Sequence, residues 1–190
     1  MTAPRAGASL TPESEIGKYG RGDREMIQSK HSIVIHKSTH EVFKYLQDHE
    51  NRLYWQPNLV THEHQRMDKG AHIKEVRNVL GRRIEIEGDI TEFEADKRLT
   101  FKGKGPHVKR IEYHYVLRPE GSSTRLETEI DVELPDLFGL ARPVIQRMTD
   151  RELDNAHQLL KDVLEHEHIQ NEVAKKLPPH EHHRKTGAKN

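Results

Sequence analysis

The stretch that decides the fold runs from His31 to Pro57 and reads HSIVIHKSTHEVFKYLQDHENRLYWQP. It starts with a β-branched run, Ile33 to Ile35, whose composition is typical of a buried strand. Ser38 followed three residues later by Glu41 is a capping box, in which each side chain accepts a hydrogen bond from a backbone N–H group, and it predicts a helix start. A second short helix is expected before Pro57. The stretch contains no obvious nucleophile, phosphate loop or metal site, so it predicts architecture and no chemistry.

The composition excludes several classes of function. Lys plus Arg equals Asp plus Glu, at 31 each, so no overall charge attracts the chain to nucleic acid or to an anionic membrane. There is no cysteine, which excludes a disulfide framework, thiol catalysis and cysteine-ligated metal centres. No apolar run resembles a signal sequence or approaches the length of a membrane span. These features predict a cytoplasmic protein with no nucleic-acid partner.

The apolar residues are concentrated in one segment. They make up 33% of the chain, which is low for a single domain that fills all 190 residues. Residues 1–27 are rich in Gly, Ala, Pro and charge and predict a flexible arm. Residues 175–190 read KKLPPHEHHRKTGAKN and predict a flexible, histidine-rich tail. The domain is therefore expected over residues 28–174.

After Pro57 the periodicity changes from helical to two, which predicts a meander of about six antiparallel strands separated by short turns. Gly88 falls on an apolar face and indicates a bend or a bulge. The apolar faces carry Ile84, Ile86, Ile90, Ile111, Tyr113, Tyr115, Leu117, Leu126, Thr128, Ile130 and Val132.

The last predicted element is a long amphipathic helix between about Leu137 and Lys175, with Pro143 near its start. The apolar face of the sheet must be buried against another element, and only this helix is long enough to cover it. A strongly twisted sheet cannot close perfectly on a single helix, so a cavity between the two is expected. The fold class is α+β.

In this order the elements resemble the START-like, or SRPBCC, superfamily, and above all its polyketide cyclase/dehydrase and lipid transport group. The resemblance covers about residues 29–168 and is carried by three segments. They are IVIHKSTHEVFKYLQDHENRLYWQP, DITEFEADKRLTF and YHYVLRPEGSSTRLETEIDVEL. It implies a helix-grip fold, in which a curved antiparallel sheet of about seven strands wraps around the C-terminal helix, with two short helices after strand 1. Relatives of this kind include aromatase/cyclases, carriers of hydrophobic molecules and co-chaperones, and fold alone does not choose among them.

The candidate ligand-binding residues lie where the expected cavity would be. Tyr113, Tyr115 and Thr128 lie on the dry face, where their hydroxyls would bind the polar end of a ligand, or would be satisfied locally within a core. Trp55, the only tryptophan, would line the cavity mouth or fill the gap between the short helices and the sheet. Met148, on the apolar side of the long helix, completes this group.

Two further candidates depend on which side of an element faces inward. The run KEVRNVL places Asn78 and Arg77 on opposite faces of one strand, and the pattern does not assign the inner face. Asn78 is taken as a ligand-binding residue; an inward Arg77 would bind a carboxylate, although surface charge pairing is the simpler interpretation. His157 falls among the apolar residues of the long helix, as a general base or as a histidine at the edge of the core.

No cofactor and no metal site are expected. His62 and His64 would share one strand face about 7 Å apart, without a visible third ligand. The cluster of His180, His182 and His183 would bind metals only as any exposed histidines do.

The leading hypothesis is a protein that binds a small hydrophobic molecule, such as a lipid, an isoprenoid or a polyketide-like aromatic, for carriage or sensing. The first alternative is an enzyme of the cyclase/dehydratase type that uses the same cavity. It is disfavoured because nearly every Asp and Glu alternates onto a wet face, leaving no buried carboxylate as a general base. The second alternative is a protein-interaction module of the co-chaperone type.

Overall fold

The computed structural model describes residues 26–62, 67–135 and 140–166. They form seven strands and three α-helices, with one 3₁₀ turn at His49–Asn51 between the first two helices. The elements are β1 (Met26–Ile35), α1 (Thr39–Gln47), α2 (Arg52–Trp55), β2 (Leu59–His62), β3 (His72–Val79), β4 (Arg82–Glu94), β5 (Arg98–Gly105), β6 (Val108–Glu120), β7 (Ser123–Glu133) and α3 (Arg142–Glu165).

The strands form one antiparallel sheet in the order β1-β7-β6-β5-β4-β3-β2. The helix α3 crosses its concave side and is tied to β1 at both ends. Near its start the Gln146 side chain donates to the backbone oxygen of Gln28 over 2.7 Å. Near its end Lys161 donates to the backbone oxygen of Val34 over 2.8 Å. The predicted helix-grip architecture, a curved seven-stranded sheet around a C-terminal helix, is confirmed.

The helix boundaries follow the sequence signals closely. The hydroxyl of Ser38 accepts from the backbone N–H of Glu41, whose carboxylate accepts from the backbone N–H of Ser38 over 3.0 Å, so the capping box is confirmed. Pro143 lies in the first turn of α3, where the missing N–H group breaks no helical hydrogen bond. In α1 the buried face consists of Val42, Phe43 and Leu46.

Two glycines allow the sheet to curl between β4 and β5. Gly88 pairs with Gly103 on the concave side. A Cβ atom on Gly88 would lie 2.1 Å from the backbone oxygen of Lys102, so a side chain at this position would push the two strands apart. Of the bend or bulge expected at Gly88, the bulge is absent, because the register is continuous there and shifts instead between Ile90 and Glu92.

The core fills the space between the concave face, α1 and α3. The strand β1 is longer than its apolar run suggests and begins at Met26, so the last two residues of the predicted arm belong to the sheet. The rest of the arm, together with the predicted tail, lies outside the described residues. Fully buried side chains at the centre of the core include Ile35, Val42, Leu126 and Leu160.

Candidate functional site

An aromatic wall lines the concave face at the middle of the sheet. The rings of Tyr113 and Tyr115 are parallel, with an interplanar angle of 7° and centroids 6.5 Å apart. The indole of Trp55, from α2, meets the ring of Tyr115 edge-on at 6.2 Å. All three side chains are buried, and Trp55 fills the space between α2 and the sheet, one of the two positions considered for it.

Next to this wall lies a buried group of charged and amide side chains, here called the Glu75 cluster: Arg52, Gln56, Asn58, Glu75 and Arg77. The carboxylate of Glu75 accepts from Arg52 over 2.6 Å and from Nε of Arg77 over 2.5 Å. Arg77 also donates to the side-chain oxygens of Gln56 over 2.8 Å and Asn58 over 3.0 Å. Its guanidinium carbon lies 4.9 Å from the ring centroid of Tyr113, so the cluster packs directly against the aromatic wall.

The charges of the cluster hold one another in place. Burial alone would raise the pKa of Glu75, but the positive charges of Arg52 and Arg77 outweigh it and lower the pKa to about 2. Burial also works against the charged form of Arg77, and the carboxylate of Glu75 reverses this and raises the pKa of Arg77. Glu75 therefore stays ionised near neutral pH and is too weak a base to accept a proton there.

Two sequence predictions about this strand are wrong. The expectation that no carboxylate is buried fails at Glu75, whose side chain is completely buried. The prediction that Asn78 lines the cavity fails because the side chain of Asn78 is exposed on the outer face, while Arg77 points inward. Arg77 donates to Glu75, Gln56 and Asn58 within the chain. It therefore has neither of the roles considered from the sequence, which were an ion pair on the surface and the binding of a ligand carboxylate. The missed signal was the i, i+2 spacing of Ile73, Glu75 and Arg77, which places two opposite charges on one face with an isoleucine.

A second carboxylate approaches the cluster from α3. Glu152 accepts from the side-chain amide of Asn58 over 2.8 Å and is half-buried. Burial raises its pKa, and Arg77 and Asn58 only partly offset that effect. Glu152 therefore gains a proton more readily than an exposed glutamate and, unlike Glu75, it can exchange protons.

His157 is buried between α3 and the sheet. Its Nε2 lies 2.8 Å from the hydroxyl oxygen of Thr128, and its ring meets the ring of His31 edge-on at 4.8 Å. Burial, with a smaller contribution from His31, lowers the pKa of His157 to about 3. The imidazole is therefore neutral at physiological pH, and the pairing of His157 with Thr128 shows that both face inward as predicted.

Several polar atoms in this interior have no partner within the described part of the chain. They are Nε1 of Trp55 and Nδ1 of His157, both sealed from solvent, and the hydroxyl of Tyr113. The hydroxyl of Tyr115 has only a long contact of 3.4 Å from the amide of Gln56. A buried donor without an acceptor costs free energy, so an acceptor on a bound molecule would stabilise the phenol of Tyr113.

An apolar patch, formed by Ile111, Ile130, Val132 and Leu134, lies on the concave face along β6 and β7. These side chains are buried and keep 6–8% of their surface exposed, whereas Leu126, further along β7, is completely buried. Met148 is half-buried, at the border between the inner and outer faces of α3. An apolar surface with a few polar groups at its deep end is the usual composition of a small-molecule site.

A separate recess of about 720 Å³ lies against β2 to β5. The side chains of Lys74, Glu85 and Glu87 alternate outward from buried Glu75 and Ile86, so this recess opens on the outer face of the sheet. It is therefore distinct from the interior region. Its lining consists of Thr61, Lys74, Glu75, Val76, Glu85, Ile86, Glu87, Lys104, Gly105 and Pro106.

The histidine pairs considered for metals are not placed by the structure. His64, His180, His182 and His183 lie outside the described residues, and nothing is described for the side chain of His62. Among the residues that are described, no three His, Asp or Glu side chains come together as a metal site. None of the described helices combines the length and the apolar character needed to cross a membrane.

The family model described as "Polyketide cyclase / dehydrase and lipid transport" matches residues 26–165, which include every described strand and helix. No curated protein is significantly similar in sequence. Many solved structures share the fold.

Three of these solved structures illustrate the likeness. The Zhui aromatase/cyclase from Streptomyces sp. R1128 is 13% identical with a TM-score of 0.64, over 74% of this chain and 94% of that one. A START superfamily protein from Mycobacterium smegmatis is 15% identical with a TM-score of 0.60, over 73% and 97%. The protein TTHA0849 from Thermus thermophilus is 18% identical with a TM-score of 0.59, over 79% and 99%. At these identities the likeness establishes the fold and leaves the chemistry to the residues of this chain.

Proposed function

Because the chain belongs to the polyketide cyclase/dehydrase and lipid transport family, we propose that it binds a small hydrophobic molecule between the concave face of the sheet and α3, for carriage or sensing. Lipids, isoprenoids and polyketide-like aromatics are the ligand classes that this site suits. The observation that carries the proposal is the apolar patch on the concave face together with the phenol beside it. Ile111, Ile130 and Val132 adjoin Tyr113, whose hydroxyl forms no hydrogen bond with the described residues.

The two parts of the site would contribute differently to binding. Burial of the ligand against the apolar side chains supplies affinity, at about 25 cal/mol per Å² before the cost of ordering is subtracted. The hydroxyl of Tyr113 supplies orientation, because it can donate to an oxygen of the ligand. A purely hydrocarbon ligand would leave this hydroxyl unsatisfied.

Ligand titrations with three probes test the proposal. The probes are cis-parinaric acid, farnesol and a hydroxylated anthraquinone, each followed by the fluorescence of Trp55 or of the probe. We expect at least one probe to bind saturably and to stabilise the protein against heat. The substitution Val132→Phe, which places a larger side chain in the apolar patch, should abolish that binding. Its matched control, Leu159→Phe on the exposed side of α3, should not change it.

Tyr113→Phe tests the orienting role of the hydroxyl. We expect about a tenfold loss of affinity for a probe that carries an oxygen at its inner end, the equivalent of one hydrogen bond. Absence of binding by all three probes, or equal binding by the wild type and Val132→Phe, would contradict the proposal.

One observation favours the enzyme as a second candidate function. Glu152 is half-buried, has a raised pKa and borders the Glu75 cluster, which makes it a possible general base. If the protein catalyses proton transfer, it should accelerate deuterium exchange at the acidic carbon of the probe 1-phenyl-1,3-butanedione, as followed by NMR. Glu152→Gln should then remove the acceleration while the affinity for the probe is retained. If the wild-type protein gave exchange only at the background rate, ligand binding would remain as the only proposed function.

A further inference from the structure

The outer side of the first half of α3 carries an unusual set of side chains, here called the α3 stripe: Leu140, Val144, Arg147, Met148 and Arg151. From Val144 onward their spacing is i, i+3, i+4 and i+7, which places them along one face of the helix. Leu140 is completely exposed one turn earlier, and Val144 is 54% exposed. Exposed aliphatic side chains that line up in this way mark a surface on which something docks.

The charges of the stripe all have one sign. Arg147 and Arg151 are both exposed, and neither forms an ion pair with any residue in the described part of the chain. Asp150, on the same turns of the helix, accepts from the side-chain amide of Gln146 over 2.9 Å. Elsewhere on the molecule most exposed cations are paired, as Lys30 is with Glu129 at 2.7 Å. The stripe is therefore apolar and basic, although the whole chain has no net charge.

We propose that the α3 stripe docks the protein on an anionic lipid surface. Apolar side chains interleaved with arginines on one helix face are what interfacial helices use, since the former enter the acyl boundary and the latter remain at the headgroups. From residue 140 to residue 151 the stripe is only about 16 Å long. A stable protein partner normally covers about 800 Å² on each side, far more than five side chains supply.

The docking does not depend on the proposed ligand and is measured separately from it.

The test is co-sedimentation of the full-length chain with vesicles of phosphatidylcholine alone or mixed with phosphatidylglycerol. We expect binding to the mixed vesicles only, weakening as salt is added. Arg147→Gln and Arg151→Gln should each reduce the vesicle affinity about fivefold. Leu140→Ser combined with Val144→Ser should also reduce it.

Matched controls come from the turn between β3 and β4, where Leu80 is exposed to the same degree as Val144 and Arg83 is also exposed. Leu80→Ser and Arg83→Gln should leave vesicle binding unchanged. Circular dichroism and a thermal melt establish that each variant is folded.

Three results would overturn the proposal. The first is failure of the wild type to bind the mixed vesicles, and the second is equal losses in stripe and control variants. The third is a concentration-dependent dimer, seen by analytical ultracentrifugation and abolished by Val144→Ser, which would assign the stripe to a second copy of the chain. In each case, ligand titrations that show saturable binding of a probe would still support the proposed function.

Discussion

His157 predicts a specific dependence of stability on pH. In the unfolded chain a histidine titrates near pH 6.5, whereas burial lowers the pKa of His157 in the folded protein to about 3. The native state therefore excludes a proton that the unfolded state takes up. The stability contributed by the neutral ring is complete above the unfolded pKa and falls as the pH drops from about 6.5 toward 3.

The size of the effect follows from the difference between the two pKa values. Each pH unit in that window removes about 1.4 kcal/mol, so the free energy of unfolding should fall by about 2 kcal/mol between about pH 7.5 and pH 5 because of His157 alone. The surroundings offer no compensation. The neighbouring groups are the hydroxyl of Thr128 and the ring of His31, and the carboxylate of Asp154, 3.4 Å from His31, is exposed.

Urea denaturation followed by the fluorescence of Trp55 measures this effect, because that tryptophan is unique and buried. The variant His157→Gln keeps a polar atom near Thr128 but cannot titrate. We expect the wild type to lose about 2 kcal/mol more than the variant on going from about pH 7.5 to pH 5. His72→Gln, which removes an exposed histidine, serves as the control and should behave like the wild type. Parallel losses in wild type and His157→Gln would refute the reasoning.

Two further predictions concern stability. Glu75→Gln should lower the free energy of unfolding by about 3–5 kcal/mol in urea denaturation, because it removes the buried carboxylate that the guanidinium groups of Arg52 and Arg77 both contact. The neighbouring exposed Glu85→Gln should change it by less than about 0.5 kcal/mol, and equal effects would contradict the assigned role of the cluster. Gly88→Ala should cost more than about 2 kcal/mol, since its Cβ would lie 2.1 Å from a backbone oxygen; an unchanged thermal midpoint would contradict the close approach of β4 and β5.

Much of the fold can be predicted from the sequence because its signals are local. The capping box at Ser38 and the alternation along β6 and β7 depend on neighbouring residues, and these elements lie where they were expected. The inward positions of Tyr113 and Thr128 follow from the same alternation, since most residues on their face are aliphatic.

The Glu75 cluster could not be predicted in this way. In β3 the inner face carries two charged residues, so its pattern resembles a solvated strand and does not reveal which side is dry. The counter-ion of Glu75 from outside the strand is Arg52, which lies 23 positions earlier on a four-residue helix. Only the curvature of the sheet brings that helix over β3 and β6, and curvature depends on non-local pairing and on close contacts such as that at Gly88.

The central claim, that the concave face holds a small hydrophobic molecule, is tested most directly by native mass spectrometry of the protein purified from its own host. We predict a co-purifying small molecule in the wild type, lost in Val132→Phe and retained in Leu159→Phe. The claim would be contradicted if the mass of the wild-type protein equalled that of the polypeptide alone and if its mass and thermal stability remained unchanged after incubation with lipids, isoprenoids and aromatic polyketides.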